Sequence, residues 1–423
     1  MLSPFGERLI DNSCGLFMRR AIFLVILGTI VSLSCTKGTG DRNPVAKKQV
    51  VVYNPYDGID FQSASRVKAI SHEHISRKSQ LKIAYDRGIR YFACVNYLPA
   101  CPSYPLSNWS YEYEDYVSPS DLTLTSLTYS GSIPSFVDKN GVEVNTDDLV
   151  QLPNAEHLFY SNTSGSHFNV LGSLFCESAH GGRNKGEWSD EALGMKKKDW
   201  YSHHPKWDIK DINPQYLNPS NQLFPGKVFG TINHTSNEKA VRSLLNECPD
   251  VFKAIEIVNQ GSTESDCKKF RKLWDKLLSE GKRIWGTSAI DWQSLGPDGN
   301  PRLGACNVLL INDYDSHTLL EKSELGLDAY ISGCFIPAGL ADNDIIDFVV
   351  TSTSVKLQVT GSPSQMIVVT NLGKTEYSGT NEVEYTYGRK DTYVRFEVWY
   401  RDEEGTLKDY LFTNPIFIEN ADE

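Results

Sequence analysis

The chain has 423 residues, of which 42 are Lys or Arg and 53 are Asp or Glu, and its formal net charge at pH 7 is -11. No basic patch stands out, which argues against a nucleic acid as partner, and the acidity disfavours electrostatic binding to an anionic membrane surface. The length is sufficient for one large α/β domain and a smaller second domain.

The first 35 residues predict an export signal. Arg19-Arg20 precede an apolar run over 21–31 that is too short to span a bilayer but suits the apolar region of a signal peptide. Met18 is a better start of translation for such a signal than Met1. The run ends in Ser32-Leu33-Ser34-Cys35, which resembles the lipid-attachment motif of bacterial lipoproteins. The resemblance implies an acylated Cys35, an outer-membrane anchor facing the periplasm or cell surface, and membrane contact through lipid alone. The alternative is a cleaved soluble export signal with an ordinary Cys35. A polar, Gly- and Lys-containing tether is predicted over 36–60.

Two histidines close the first strand-like run of the main domain. His72 and His74 follow the segment 67–70 with one residue between them. In an extended strand, side chains at i and i+2 point to the same side, so the two imidazoles would face one point and could begin a metal site. The alternative is a strand-end histidine beside a solvent-exposed one.

Further short apolar runs stop at, or begin with, a polar residue of ligand type. Their apolar character on both faces suits parallel strands that are buried on both sides. Polar residues recurring at strand ends are typical of a catalytic face built where strands stop and loops begin. The runs are 91–95 before Asn96, 228–232 before Asn233 and His234, 253–258 before Asn259, 283–288 leading to Asp291, and 167–172 beginning with His167.

Helical patterns lie between these runs. The segment 80–87 ends before Gly88, and 235–238 has the spacing of a capping box before an apolar face. Residues 270–278 carry a one-face apolar stripe, which we interpret as packing against a sheet. Alternating strands and helices predict an α/β domain with parallel crossovers.

The segments over roughly 68–339 resemble the polymerase and histidinol phosphatase (PHP) superfamily, whose members are distorted α/β barrels that hydrolyse phosphate or other esters with a metal cluster. The family pattern is a His-x-His strand end, a Glu upstream of a His that starts an apolar run, an Asn-His strand end, and a Gly-rich strand that ends in Asp-x-His. The matching positions, in chain order, are His72, His74, Glu156, His167, Asn233, His234 and Asp291.

Two positions depart from the family pattern. Asn96-Tyr97 stand where the family has Asp-His, and Gln293 stands where it has its last His. Asn and Gln offer a carbonyl oxygen without charge, and Tyr ligates poorly unless ionised. The resemblance therefore implies one or two divalent metals (Zn, Mn or Fe) and not three. The implied metal ligands are His72, His74, Glu156, His167, His234, Asp291 and Gln293, with His72, His74 and Asp291 catalytic. Candidate substrate contacts are Asn96, Tyr97, Asn233 and His180, the last within a long polar stretch over 176–226.

The C-terminal part changes to a period of two. Alternation over 355–359, 383–387 and 394–400 predicts strands with one buried face. We therefore predict a signal over 1–35, a tether over 36–60, a PHP-like barrel over 61–346 and an antiparallel, β-sandwich-like domain over 347–423. The last domain should pack on the barrel without taking part in chemistry. Its rival role is ligand binding through an exposed aromatic face of Tyr377, Tyr393 and Trp399.

Two functions follow from these observations. The first is a metal-dependent hydrolase that acts on a small phosphorylated or esterified substrate. The second is a catalytically degenerate binding lipoprotein on the same scaffold, which captures a ligand or glycan. Export would also allow disulfides, for which Cys94–Cys101 and Cys248–Cys267 are candidate pairs.

Overall fold

The computed structural model describes residues 49–73, 84–93, 149–154, 156–157, 166–173, 209–291 and 304–420. Within these ranges the chain is of mixed α/β class and mostly sheet. The helices are α1 (Ile209–Leu217), α2 (Glu238–Glu247), α3 (Glu264–Ser279) and α4 (Leu319–Ser332). The strands are β1 (Gln49–Tyr53), β2 (Ser65–Ile70), β3 (Ile89–Phe92), β4 (Val150–Gln151), β5 (Glu156–His157), β6 (Phe168–Leu171), β7 (Phe229–Ile232), β8 (Phe252–Asn259), β9 (Trp285–Ala289), β10 (Ala305–Ile311), β11 (Phe335–Gly339), β12 (Ile345–Val350), β13 (Ser354–Val359), β14 (Gln365–Thr370), β15 (Gly373–Tyr377), β16 (Glu382–Thr386), β17 (Tyr393–Arg401), β18 (Leu407–Phe412) and β19 (Ile416–Asn420).

Strands β7, β8 and β9 run parallel, with α2 and α3 as the crossovers between them. All residues of β7 and β9 are buried, as the two-sided apolar runs predicted. The apolar stripe of α3 is buried too, and Trp274 at its centre donates its indole N–H to the carbonyl of Ile284. These confirmed strands carry three of the polar strand ends, namely Asn233-His234, Asn259 and Asp291.

A second parallel set, β2, β3 and β4, continues through the antiparallel strands β10 and β11. It belongs to an 11-stranded sheet, whereas β5 to β9 form a separate five-stranded sheet. A parallel bridge between Glu73 and Asp291 links the ends of β2 and β9. The described sheets are open, so a closed barrel is not confirmed.

The strands from β12 onward pair antiparallel, as the period of two predicted. Strand β18 also joins β11 through the pair Ala338–Leu411, and β17, β18 and β19 lie in the 11-stranded sheet. Strand β1 pairs with β19. Gln49–Tyr53, which the sequence placed in the tether, therefore form a strand, because this Val-rich segment meets the edge of β19.

Local patterns gave three expectations that the structure corrects. Asn237, not Thr235, caps α2, since its side chain accepts from the N–H of Ala240. The aromatic face of the C-terminal part is not exposed, because Tyr393 and Trp399 are buried in the core. Cys248 and Cys267 are buried free thiols and do not form the disulfide considered above. None of the helices in the described ranges has the length and apolar character needed to cross a membrane.

Candidate metal centre

The ends of the parallel strands bring the candidate ligands together. His72 follows β2, His234 follows β7 and Asp291 follows β9. Parallel strands expose their carboxyl ends at one edge of a sheet, and the Glu73–Asp291 bridge holds the β2 and β9 ends side by side. The antiparallel pair β5–β6 adds Glu156 and, just before β6, His167.

His72 is held at the centre of this cluster and is 1% exposed. Its Nδ1 lies 2.6 Å from Oε1 of Glu256, which is a hydrogen bond. Its Nε2 then points to Asp291 Oδ1 at 3.3 Å and to Glu156 Oε1 at 3.5 Å. Pairing Nδ1 with a carboxylate fixes the tautomer that leaves Nε2 as the ligand atom.

Glu156 organises the other half of the cluster. Its Oε1 lies 2.7 Å from Nδ1 of His167 and 3.3 Å from Nε2 of His234, and Asn233 donates to the same oxygen at 3.3 Å. His234 Nε2 also lies 3.7 Å from Asp291 Oδ2. His234 is thus shared by two groups of ligand-type side chains.

The distances from the Nε2 atoms of His72 and His234 to the carboxylates fit a bound cation, whereas the 2.7 Å contact of His167 Nδ1 with Glu156 Oε1 is a hydrogen bond. In each of two groups, His72–His234–Asp291 and Glu156–His167–His234, one ligand atom per residue lies within 4.8 Å of the others. The four Nε2-to-carboxylate separations named above run from 3.3 to 3.7 Å, longer than the usual charge-assisted hydrogen bond. Two ligands at 2.0–2.2 Å from one tetrahedral metal lie about 3.4 Å apart. The donor set of imidazoles and carboxylates suits Zn, Mn or Fe.

The electrostatics of the cluster call for a positive charge. Burial opposes protonation of His72, but the carboxylates of Asp291, Glu256 and Glu156 outweigh it and raise the pKa of His72 well above its ordinary value. Burial likewise opposes ionisation of Glu156, yet His72 and hydrogen bonds from His167 and His234 hold the pKa of Glu156 well below its ordinary value. A divalent cation would supply the same compensation as a protonated imidazole.

Backbone strain is concentrated at the ligands. His234 has φ +22° and Asp291 has φ +64°, two of the three non-Gly residues with positive φ in the described ranges. Such conformations persist where the surroundings over-determine them. Here the N–H of His234 donates to Glu256 at 2.7 Å, and the N–H of Asp291 donates to the carbonyl of His72 at 2.8 Å.

The structure brings together five of the predicted metal ligands, with the candidate substrate contact Asn233 beside them. The five are His72, Glu156, His167, His234 and Asp291. The remaining predicted positions lie outside the described residues: Cys35, His74, Asn96, Tyr97, His180 and Gln293. His157 points away from the cluster, stacked on Phe168 and bonded to the hydroxyl of Tyr216.

Sequence reasoning missed Glu256 and Asn169, and it identified Asn259 as a polar strand end without a specific role. Asn259 donates to Glu256 at 2.9 Å and to Asp291 at 3.1 Å, and Asn169 accepts from Asn233 at 2.9 Å. A signal for Glu256 was present, because it is the one acidic residue of β8 and lies in the stretch of that strand that is buried on both faces. A charge at such a position is uncommon unless it is paired.

Comparison with known proteins gives limited similarity. No family model matches the chain, and no curated protein matches it. An amidohydrolase from Chromobacterium violaceum with bound sulfate and no metal is 14% identical over 54% of this chain and 89% of its own, with a TM-score of 0.27. A proposed metal-dependent phosphoesterase from Bifidobacterium adolescentis is 11% identical over 58% of this chain and 92% of its own, with a TM-score of 0.28. Similarity at this level assigns neither fold nor activity, and PHP membership is not confirmed.

Proposed function

We propose that this chain is a metal-dependent hydrolase with a PHP-type site that cleaves a small phosphate ester or a related ester. The observation that carries the proposal is the cluster of imidazoles and carboxylates around His234. Its separations of 3.3–3.7 Å between Nε2 and carboxylate oxygens match the edges of a metal coordination shell. The ester substrate class rests on the family resemblance of the sequence.

Some of the ligand residues are fully buried, whereas others are partly open to solvent and to an approaching substrate. His72, His234 and Asp291 would hold one divalent metal, and Glu156, His167 and His234 would hold a second or complete the first. When bound, such a metal lowers the pKa of a water and polarises the ester oxygen. His72 and Glu156 are fully buried, whereas the side chains of Asp291, His167 and His234 are 18–23% exposed. The substrate would therefore approach from the side of these three residues.

Metal analysis of the purified protein tests the proposal. Wild type should carry one or two equivalents of Zn, Mn or Fe and hydrolyse an aryl phosphate or aryl ester. His72→Ala should lose both metal and turnover, because ligand loss removes them together. The matched control is His317→Ala, since His317 lies at the start of α4 with Glu321 as its neighbour and outside the cluster. Absence of metal after reconstitution with all three ions would contradict the hydrolase.

The binding-protein function is the alternative, and the departures at Asn96-Tyr97 and Gln293 favour it. The binding-protein proposal replaces the hydrolase proposal if the wild-type protein binds no metal and His72→Ala changes only stability. A metal-loaded protein with no turnover on any ester would favour ligand capture at a metal-containing site.

We also propose that the protein is an exported lipoprotein anchored through Cys35. The support is the sequence Ser32-Leu33-Ser34-Cys35 after an apolar segment. Two acyl chains anchor a protein stably, whereas one does so only marginally. Cys35→Ala should therefore release the protein from the membrane fraction, and unchanged partition would exclude the anchor.

A further inference from the structure

Glu256 contacts two members of one ligand group directly and the third through Asn259, without being one of the ligands of that group. Its Oε1 accepts from Nδ1 of His72 at 2.6 Å, and its Oε2 accepts from the backbone N–H of His234 at 2.7 Å. Oε2 also accepts from the amide of Asn259 at 2.9 Å, and that amide reaches Asp291 Oδ2 at 3.1 Å. These contacts include every member of the group His72–His234–Asp291.

We infer that Glu256 is the positioning residue of this metal subsite, with Asn259 as its extension to Asp291. The inference rests on the proposed function. In it, Glu256 determines how the metal-ligating side chains are oriented. Glu256 fixes the tautomer of His72 and holds the His234 backbone in its positive-φ conformation. It lies on β8, an inner strand of the five-stranded sheet with neighbours on both sides, so its position is set by the fold and not by a loop.

The orientation of Asn259 follows from its neighbours. Its amide nitrogen faces two carboxylates, Glu256 and Asp291, and a carboxylate only accepts. The amide oxygen of Asn259 must then point the other way, where a Cβ at Gly261 would lie 3.0 Å from it. Asn259 thus transmits the position of Glu256 to the Asp291 side of the cluster.

Glu256→Gln is a sharp test, because three donors converge on the two oxygens of Glu256. The Gln side chain has one oxygen and one NH₂ group. If the NH₂ faces His72, it favours the tautomer with hydrogen on Nε2, which cannot ligate; if it faces His234 and Asn259, donors oppose donors. Disturbed outer partners of metal ligands typically weaken metal affinity about 10–100-fold.

The measurement is Zn²⁺ and Mn²⁺ binding to apo protein by chelator competition and elemental analysis. Glu256→Gln should lose one equivalent if wild type binds two, or lose about 10–100-fold in affinity if wild type binds one. Asn259→Ala should weaken the same subsite less. The control is Glu397→Gln, which neutralises another buried, ion-paired carboxyl on β17 and should leave metal binding unchanged while lowering the melting temperature.

The outcomes separate this inference from the proposed function. Unchanged stoichiometry and affinity in Glu256→Gln would overturn the positioning role while wild-type metal binding and turnover still support the hydrolase. An equal loss in Glu397→Gln would show that general destabilisation is the cause, which also overturns it. If wild type binds neither of these metals and also fails to bind Fe, both the inference and the proposed hydrolase function fail.

Discussion

At the residue scale, the cluster shows why buried charge marks a functional site. An unpaired carboxylate inside a sheet is strongly disfavoured, whereas Glu256 has a partner for each oxygen and Glu156 lies among three imidazoles. The hydrogen bonds fix side-chain directions, and the remaining ligand atoms converge on a common centre. Buried groups with such strongly perturbed environments are concentrated at functional sites.

Gly261 borders the metal ligands, and there is no room for a side chain at its position without a shift of its neighbours. A Cβ there would lie 3.0 Å from both Asn259 Oδ1 and Asp291 Oδ2, closer than ordinary van der Waals contact. Gly261→Ala should therefore displace Asp291 and lower metal affinity by about tenfold, within the range for disturbed outer contacts, with little change in melting temperature. Metal titration and thermal unfolding of the same sample measure both effects.

Gly281 is the matched control for this substitution. It has φ +78° after the end of α3 and open space around the position of a Cβ. Gly281→Ala should lower the free energy of unfolding by about 1–2 kcal/mol through backbone strain and leave metal affinity unchanged. If the two variants behave alike, Gly261 has no specific contact with the site.

At the element scale, hydrophobic patterns in the sequence predicted those strands and helices whose formation depends on neighbouring residues. Apolar runs predicted the parallel strands β7, β8 and β9, because a strand buried on both faces is apolar throughout. The one-face stripe predicted α3, because a helix buried on one face carries apolar residues at helical spacing. The order of ligand-type residues gave five members of the cluster. The pairing of β1 with β19 could not be predicted, because it joins opposite ends of the main unit. The acidic side chain of Glu256 within a buried strand marks an unusual position, but its hydrogen bond to His72 leaves no trace in the sequence spacing.

A buried ion network fixes α3 to the sheet and should be sensitive to the loss of one partner. Arg395 on β17 is fully buried and pairs with Asp275 of α3 and with Glu397. Arg395→Met should destabilise the protein by about 3–5 kcal/mol, because two carboxylates lose their main partner. Arg395→Met combined with Glu397→Met should cost less than the single change, as urea unfolding would show.

The half-exposed surface pair Arg242–Glu238 on α2 is the control for that experiment. Surface ion pairs contribute little, so removing it should hardly move the unfolding midpoint. If the double variant is no more stable than Arg395→Met alone, the cost lies in lost packing of the arginine on Trp274 and not in the unpaired carboxylate.

The same network predicts acid sensitivity. Burial opposes ionisation of Glu397, but Arg395 and Lys374 lower the pKa of Glu397 from 4.5 to about 2. A carboxyl with a lowered folded pKa stabilises the fold above its unfolded pKa and loses that contribution as pH falls through the folded value. Stability should thus decline between about pH 5 and pH 2 by roughly 3 kcal/mol from this group. The Glu397→Gln variant should show a shallower decline in denaturant melts over this interval.

At the scale of the main unit, which spans 47–423, the C-terminal strands complete the interior behind the metal centre. Asn414 accepts from the N–H of Gly286 on β9 at 2.9 Å and donates to the carbonyls of Gly333 and Phe335. Tyr410 lies 2.7 Å from Ser288 on the same strand. Buried polar groups that lose such partners cost about 1–3 kcal/mol each.

Removing residues 345–423 should therefore prevent folding and not merely lower stability. The deletion would expose β1 and β11, leave the N–H of Gly286 without its acceptor, and uncover the buried side of α3 that faces Arg395. The expected result is an insoluble or non-cooperatively unfolding chain without metal, judged by calorimetry and metal analysis.

Asn414→Ala in the full chain removes only the buried hydrogen bonds of this side chain and is therefore a milder perturbation than the deletion. It should lower the melting temperature while keeping one transition in which metal release and loss of tertiary signal coincide. A soluble truncated protein that binds metal and melts cooperatively would show instead that the part of the chain before residue 345 folds alone and that the C-terminal strands are an accessory.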